Sequence, residues 1–362
     1  QELRMAPAAP PVGMAPPPKP RILLMGMRRC GKSSIQKVVF HKMSPHETLF
    51  LEGTSKIVKT DINNSAFLRF EVWDLPPPTL ADFTEQAAKW TPVFSGCSSL
   101  VWVIDVQDDY AESIARLQAA LVVASRCNPN VQCEVFVHKA DALGEEGRWE
   151  AQRDVHEQMT QELSNCRLTV PLRVFLTSIY DHSVFEAFSK VVQKLLPQLP
   201  TLQNLLDRFL TKCSGEKAFL FDMVSKLYLA TDSSPVDMQL YELCSDVIDV
   251  VIDVSYIYGP KDPASKQFES ASAPAADVDE IEGGGVPLAS AAALSSANIR
   301  LSNGSVLQLR HVDTYTALVT LMSDRTLAKQ GLVEFNFQRF RDAVRVLLDP
   351  PPSQPATAAV SQ

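Results

Sequence analysis

The residues with the plainest chemical purpose are Gly26-Met27-Arg28-Arg29-Cys30-Gly31-Lys32-Ser33, which fit the pattern G-x-x-x-x-G-K-[ST]. A loop of this composition binds phosphate. Gly31 lets the main chain approach the anion. Successive N–H groups from Arg28 through Ser34, with the N-terminus of a following helix, present positive potential to it. Lys32 adds a point charge at the β and γ oxygens, and Ser33 offers its hydroxyl to Mg²⁺. Cys30 is either a thiol sensitised by Lys32 or a packed loop residue.

A second tetrad, His138-Lys139-Ala140-Asp141, resembles the [N/H]-K-x-D guanine motif of small GTPases, with His138 for the more common Asn. Asp141 can accept from guanine N1–H and N2–H. Adenine has no N1–H and would leave the carboxylate poorly paired, a mismatch worth several kcal/mol in sites that lose a designed polar partner. Lys139 is expected to lay its stem along the base. Thr177-Ser178-Ile179 resembles the further loop that closes over the base through backbone groups. The cofactors expected are therefore GTP or GDP with Mg²⁺.

Such loops work only at the ends of strands. Ile22–Met25, Phe67–Trp73, Leu100–Asp105, Val135–His138 and Val174–Leu176 read as buried strands. Ser33–His41, Tyr110–Arg126, Arg148–Leu163 and Val184–Leu195 read as the helices between them. Alternation of this kind implies an α/β fold with a mainly parallel sheet. Pro197 and Pro200 break the pattern and mark a boundary. Beyond it, Leu202–Leu210 and Val236–Ile257 read as helices, with Phe219–Phe221 and Lys226–Ala230 as paired strands. A hairpin follows, Ile299–Ser302 and Val306–Leu309 around Asn303-Gly304, whose two residues should both take positive φ. Thr316–Met322 as a strand and Phe337–Leu348 as a closing helix complete an α+β domain.

The chain has 362 residues, enough for two domains at about 150 residues each. Its expected divisions are a Pro-rich disordered arm over 1–20, a nucleotide domain over 21–197, a second domain over 198–349 with a disordered Pro/Ala/Gly/Ser-rich acidic insertion at 260–297, and a disordered tail over 350–362. A net charge of −8 argues against nucleic acid as a partner. No apolar run approaches the roughly 18–20 residues that span a bilayer, and the ending Val360-Ser361-Gln362 is no CaaX box, so no direct membrane anchor is expected. Seven cysteines without a CxxC pair read as reduced thiols.

Residues 21–60 and 177–256 resemble the Rag GTPases, in particular the RagC/RagD branch and its fungal Gtr-type counterparts. The wording that carries this is Pro20-Arg21-Ile22-Leu23-Leu24-Met25-Gly26, Ser34-Ile35-Gln36-Lys37-Val38-Val39-Phe40-His41-Lys42-Met43-Ser44-Pro45, Thr177-Ser178-Ile179-Tyr180-Asp181-His182-Ser183 and Ala230-Thr231-Asp232-Ser233-Ser234-Pro235-Val236-Asp237-Met238. The resemblance implies a Ras-like P-loop GTPase domain followed by a roadblock-type dimerisation domain. It implies a heterodimer with a RagA/RagB-type subunit, a lysosomal or vacuolar scaffold complex, and a report on amino-acid supply to TOR complex 1. The implied location is cytoplasmic, peripheral at the lysosomal or vacuolar membrane through partners, with the nucleus as a further compartment.

Thr48 and Thr54 fall in the first switch, and Thr54 is the better match to the Mg²⁺ and γ-phosphate ligand; Asp74 matches the acid on the Mg²⁺ side. After Asp74 the family pattern D-x-P-G-Q is replaced by Asp74-Leu75-Pro76-Pro77-Pro78. Pro77 has no N–H for the γ-phosphate, and Pro78 cannot orient water as Gln does. No catalytic residue is assigned, and weak hydrolysis is expected. An aberrant gene model or splice boundary over 75–90 is the competing explanation. Arg28 stands where many small GTPases carry Gly, either crowding the attacking water or solvated. The alternative function is a pseudo-GTPase acting as a structural dimerisation module.

Overall fold

In the computed structural model, which describes residues 19–63, 65, 67–85, 87–168, 170–258 and 296–348, the apolar run after Pro20 becomes strand β1, Arg21–Gly26. Ile22, Leu23, Leu24 and Met25 are completely buried, as expected for a strand with both faces covered by helices. The chain continues through α1 (Lys32–His41), β2 (Val58–Asn63), β3 (Arg69–Asp74), α2 (Leu80–Thr84), α3 (Ala87–Phe94), β4 (Cys97–Asp105), α4 (Tyr110–Cys127), β5 (Gln132–His138), α5 (Glu145–Asn165), β6 (Leu172–Thr177) and α6 (Ser183–Lys194). The sheet order is β2-β3-β1-β4-β5-β6, and every pairing is parallel except β2 with β3. This is the Ras-like α/β arrangement implied by the motifs. The order reverses on either side of β1, and the crevice at the carboxyl ends there is where open α/β sheets take ligands.

The second half comprises α7 (Leu199–Cys213), β7 (Gly215–Asp222), β8 (Tyr228–Thr231), α8 (Met238–Tyr258), β9 (Ser296–Arg300), β10 (Ser305–His311), β11 (Thr316–Ser323), α9 (Asp324–Leu327) and α10 (Gln330–Leu348). Its sheet, β8-β7-β11-β10-β9, is wholly antiparallel. Alternate residues sort to its two faces with period two. Phe219, Phe221, Leu307, Leu309 and Val319 pack with Tyr241, Ile248 and Val251 of α8. Ala218, Leu220, Leu318 and Met322 pack with Leu206 and Phe209 of α7 and Phe340 and Val344 of α10. This fits a roadblock-type α+β domain.

Several boundaries differ from the sequence reading for physical reasons. Pro200 does not break a helix but sits in the first turn of α7, where no N–H is needed. Lys226 has φ +58 and belongs to the turn before β8. Asn303 does not take positive φ; Gly304 alone does, at +85°, while the Asn303 side chain accepts from Ser305 N at 2.9 Å. β9 starts at Ser296, inside the stretch expected to be an unstructured insertion. The arm, the rest of that insertion and the tail lie outside the described residues, apart from Lys19 and Pro20. No helix among the described residues is long and apolar enough to cross a membrane.

Candidate nucleotide site

Five strand ends feed one cleft of about 1020 Å³. β1 delivers the glycine loop, β3 delivers Asp74, β4 delivers Asp105, β5 delivers His138 and the residues after it, and β6 delivers Ser178 and Ile179. The register aligns them, with Leu24 opposite Asp74, Asp105 opposite His138 and His138 opposite Thr177.

The loop takes its shape from positive φ at Gly26 (+144°), Arg29 (+64°) and Gly31 (+98°). Lys32 is 5% exposed, and its Nζ donates to Gly26 O at 3.1 Å and Met27 O at 2.7 Å, folding the ammonium back over the loop. Arg28, Arg29, Gly31, Lys32, Ser33 and Ser34 all line the cleft. Cys30 does not. Its side chain is buried among core residues such as Ile22 and Val103. Burial pushes its thiol above the ordinary range despite the pull of Lys32, so it is a packed residue rather than a sensitised thiol.

At one end of the cleft Ser33, Thr54 and Asp74 converge. Ser33 Oγ donates to Asp74 Oδ2 at 2.5 Å, Thr54 Oγ1 donates to the same oxygen at 3.1 Å, and the two hydroxyls are 2.7 Å apart. Asp74 is 2% exposed, and its Oδ1 has no hydrogen-bond partner among the described residues. Burial raises its carboxyl above the ordinary value, while the two hydroxyls and the Lys32 charge pull it back. A buried carboxylate with a spare oxygen and two hydroxyls suits a hard, oxygen-loving cation. Thr48 lines the cleft as well, but its hydroxyl donates to Pro45 O at 2.7 Å within its own turn and does not join this group.

At the other end stand Lys139 and Asp141. Lys139 (φ +62) is ion-paired with Asp105, whose Oδ1 accepts from Gln107 N at 3.0 Å. Asp141 is exposed to the cleft, and Ser178 Oγ donates to its Oδ1 at 2.5 Å. Ser178 is itself completely buried and aims Asp141 from behind, while Ile179 reaches the cleft. His138 lies beneath the glycine loop, 1% exposed, with Nδ1 3.0 Å from Thr177 Oγ1. Burial lowers its pKa to about 4, so it is neutral at ordinary pH. A Cβ on Gly31 would stand 2.5 Å from His138 Cδ2.

Residues 21–248 match the Gtr1/RagA G protein conserved region. Ras-related GTP-binding protein C of Mus musculus is 50% identical over 338 residues, which cover 93% of this chain and 79% of that protein. GTP-binding protein gtr2 of Schizosaccharomyces pombe is 46% identical over 334 residues, 92% of this chain and 99% of that protein. This chain belongs to the Rag/Gtr family of GTP-binding proteins. Within the family it stands on the RagC/RagD and Gtr2 side. Identity to gtr1 of S. pombe is only 24%, over 236 residues that cover 63% of this chain and 74% of that protein.

For a Rag/Gtr chain the unusual element is the second switch. Pro76 and Pro77 line the cleft where the family pattern would supply a glycine N–H. Pro78 O accepts from Arg116 Nη1 of α4 at 2.7 Å, and Arg116 is held in turn by Glu112. Thr79 then caps α2 through a reciprocal box with Asp82. Leu75, Phe83, Trp90 and Phe94 are buried in the domain core, so the divergent stretch packs as part of the fold. No site role was read for Gly53, Gln107 and Tyr180, which also line the cleft; Tyr180 lay within the segment that carries the family resemblance, and only nearness in sequence to marked residues pointed to the other two. His46 and Tyr180 bring their rings to 5.8 Å across its rim.

Proposed function

We propose that this chain is the guanine-nucleotide-binding switch subunit of a heterodimer with a RagA/RagB-type subunit. It relays amino-acid availability to TOR complex 1, held by a scaffold complex at the lysosomal or vacuolar surface, and its intrinsic GTP hydrolysis is weak. The observation that carries the nucleotide reading is the placement of Ser33 and Thr54, with Asp74 buried behind them, at one end of a single cleft, and of Lys139 and Asp141 at the other. The glycine loop would hold the phosphates through its N–H groups and Lys32, and Asp141, aimed by Ser178, would accept from guanine. Ser33, Thr54 and Asp74 would hold Mg²⁺, which when bound neutralises charge between the β and γ oxygens. Weak hydrolysis follows from Pro77, which has no N–H, and Pro78, which has no amide side chain.

The G domain would span 21–197 and the dimerisation domain 198–349. Val250, Val254 and Ile257 form an exposed apolar stripe on α8 at helical spacing, on the flank of the face that packs on the sheet, which supports a partner subunit there. A second reading, a pseudo-GTPase serving as a dimerisation module, is favoured by one feature, the anchoring of Pro78 by Arg116.

The test uses the full chain purified with a RagA/RagB-type partner. Denaturation and chromatography identify any bound nucleotide, and one turnover of loaded GTP is then followed. Guanine nucleotide with negligible turnover supports the proposal. Brisk turnover refutes the weak-hydrolysis part, and a protein that neither carries nor binds guanine nucleotide leaves the structural module.

A further inference from the structure

The second switch leaves a gap in the recognition chemistry. A terminal phosphate is ordinarily met there by a main-chain N–H, and Pro77 has none. The nearest N–H groups on either side of the three prolines are already engaged, Leu75 N with Leu24 O at 3.1 Å and Thr79 N with Asp82 Oδ2 at 2.7 Å. Two cations of the glycine loop, Arg28 and Arg29, are exposed on the cleft with no hydrogen bond or ion pair among the described residues, and of the two it is Arg28 that lies beside the first switch at Gly53. Its guanidinium runs along Gly53, with Nε and Nη2 at 3.8 and 3.9 Å from where a Cβ on Gly53 would stand. Gly53 directly precedes Thr54, whose hydroxyl sits on Ser33 and Asp74. The guanidinium therefore lies against the first switch, at the end of the cleft away from Asp141.

We infer that Arg28 reads the terminal phosphate of a nucleoside triphosphate in this chain, bridging it to the first switch in place of the missing second-switch N–H. This rests on the guanine-nucleotide reading above. A guanidinium is charged at every working pH, and its fork matches phosphate oxygens with two parallel hydrogen bonds. Lys32 does not supply this discrimination, because its charge serves the β oxygens shared by diphosphate and triphosphate as well as the γ oxygens. Arg28 is exposed, and a Cβ on Gly53 would stand only 3.8 Å from its Nε, so the glycine lets the guanidinium lie close against the first switch. The preference of the site for triphosphate over diphosphate is then set from the glycine loop, not from the second switch.

The experiment compares the full-length wild type with Arg28→Ala and Arg28→Lys. Equilibrium binding is measured with the Mg²⁺ complexes of GDP and of guanosine 5′-[β,γ-imido]triphosphate. Arg28→Ala is expected to weaken the triphosphate analogue about ten- to a hundredfold while changing GDP by less than about threefold. Arg28→Lys, which keeps the charge and loses the fork, should fall between. Equal loss for both nucleotides would mean that Arg28 only shapes the loop. No loss, or a gain for the triphosphate, would mean that it is solvated or obstructive. Any of these overturns the inference while GDP binding by the wild type leaves the guanine reading standing. A wild type that binds neither nucleotide sinks both.

Discussion

Gly31→Ala probes the contact between the phosphate loop and the base-side strand. Two costs arise. Gly31 has φ +98, and a residue with a Cβ in that region costs about 1–2 kcal/mol. The new Cβ would also stand 2.5 Å from His138 Cδ2 and 2.9 Å from Nε2, so the ring must retreat by close to an ångström. It has little freedom to do so, being 1% exposed and tethered to Thr177 Oγ1 at 3.0 Å. Overpacking of this kind costs about 1–3 kcal/mol. The expected total is about 2–5 kcal/mol, below the whole stability of a typical domain. His138→Ala in the Gly31→Ala background removes the ring and should return the packing part, leaving the backbone part. All four tryptophans, Trp73, Trp90, Trp102 and Trp149, lie in the first domain, so urea denaturation followed by tryptophan fluorescence reports on the domain concerned. The loop and the ring would not be in contact as described if Gly31→Ala shifted stability by less than about 0.5 kcal/mol, or if the two substitutions proved additive.

Asp141→Asn should move base preference from guanine toward xanthine, read by competition between GDP and XDP; unchanged preference would remove Asp141 from the base site. The paired change Pro77→Gly with Pro78→Gln restores an N–H and an amide side chain and should raise single-turnover GTP hydrolysis by about a hundred- to a thousandfold, the scale of one lost transition-state donor; an unaltered rate would show that the prolines are not what limits turnover. His138 has a folded pKa lowered to about 4, below its ordinary value near 6.5. Its neutral form favours the fold, so its contribution is complete above about pH 6.5 and is lost as pH falls toward 4, amounting to about 3 kcal/mol. His138→Asn should flatten that part of the stability–pH curve, and a slope identical to the wild type's would place the titration elsewhere.

The parts of the fold that were legible in the sequence are those whose burial shows in residue type. β1, β4 and β5 carry unbroken apolar runs, Ile22–Met25, Leu100–Ile104 and Val135–Val137, because helices cover both faces of the sheet. β2 was not legible. Its sequence Val58-Lys59-Thr60-Asp61-Ile62-Asn63 buries only Ile62, since it is an edge strand with most side chains facing out. α2 and α3 were missed because one is five residues long and the other contains Pro92. α10 begins seven residues before the expected start, where Gln330-Gly331 carries no helix signal and tertiary packing of Val333 decides. At the site, motif residues were legible because phosphate and guanine chemistry dictates their types. Cys30 was ambiguous because a loop sequence does not say which side chains turn inward. The Arg28–Gly53 approach and the Arg116–Pro78 link join residues 25 and 38 positions apart, and neither type nor spacing announces them.

One element does not respect the division at residue 197. α6 follows the loop in which Ser178 aims Asp141, so its first turn belongs to the base end of the cleft. Its later turns belong equally to the second sheet. Ser189 Oγ accepts from Tyr228 N at 3.0 Å, and Gln193 Nε2 donates to Tyr228 O at 3.4 Å. Val184, Phe188 and Val191 share one apolar cluster with Leu202, Leu206, Leu227 and Leu229. A covalent boundary therefore exists where the packing boundary does not. Interfaces between domains allow relative motion when they are small and polar; a shared, buried apolar core resists it. The first switch is the opposite case, with Leu49 and Phe50 exposed by 72% and 87% beside the cleft. Thr54, four residues after Phe50, makes hydrogen bonds among the described residues only through its hydroxyl, to Ser33 and Asp74, the groups that would take the metal. On the proposed function, a change at the terminal phosphate would meet a stiff joint in one direction and a lightly held apolar segment in the other, and the latter would be the surface best placed to display nucleotide state to a partner.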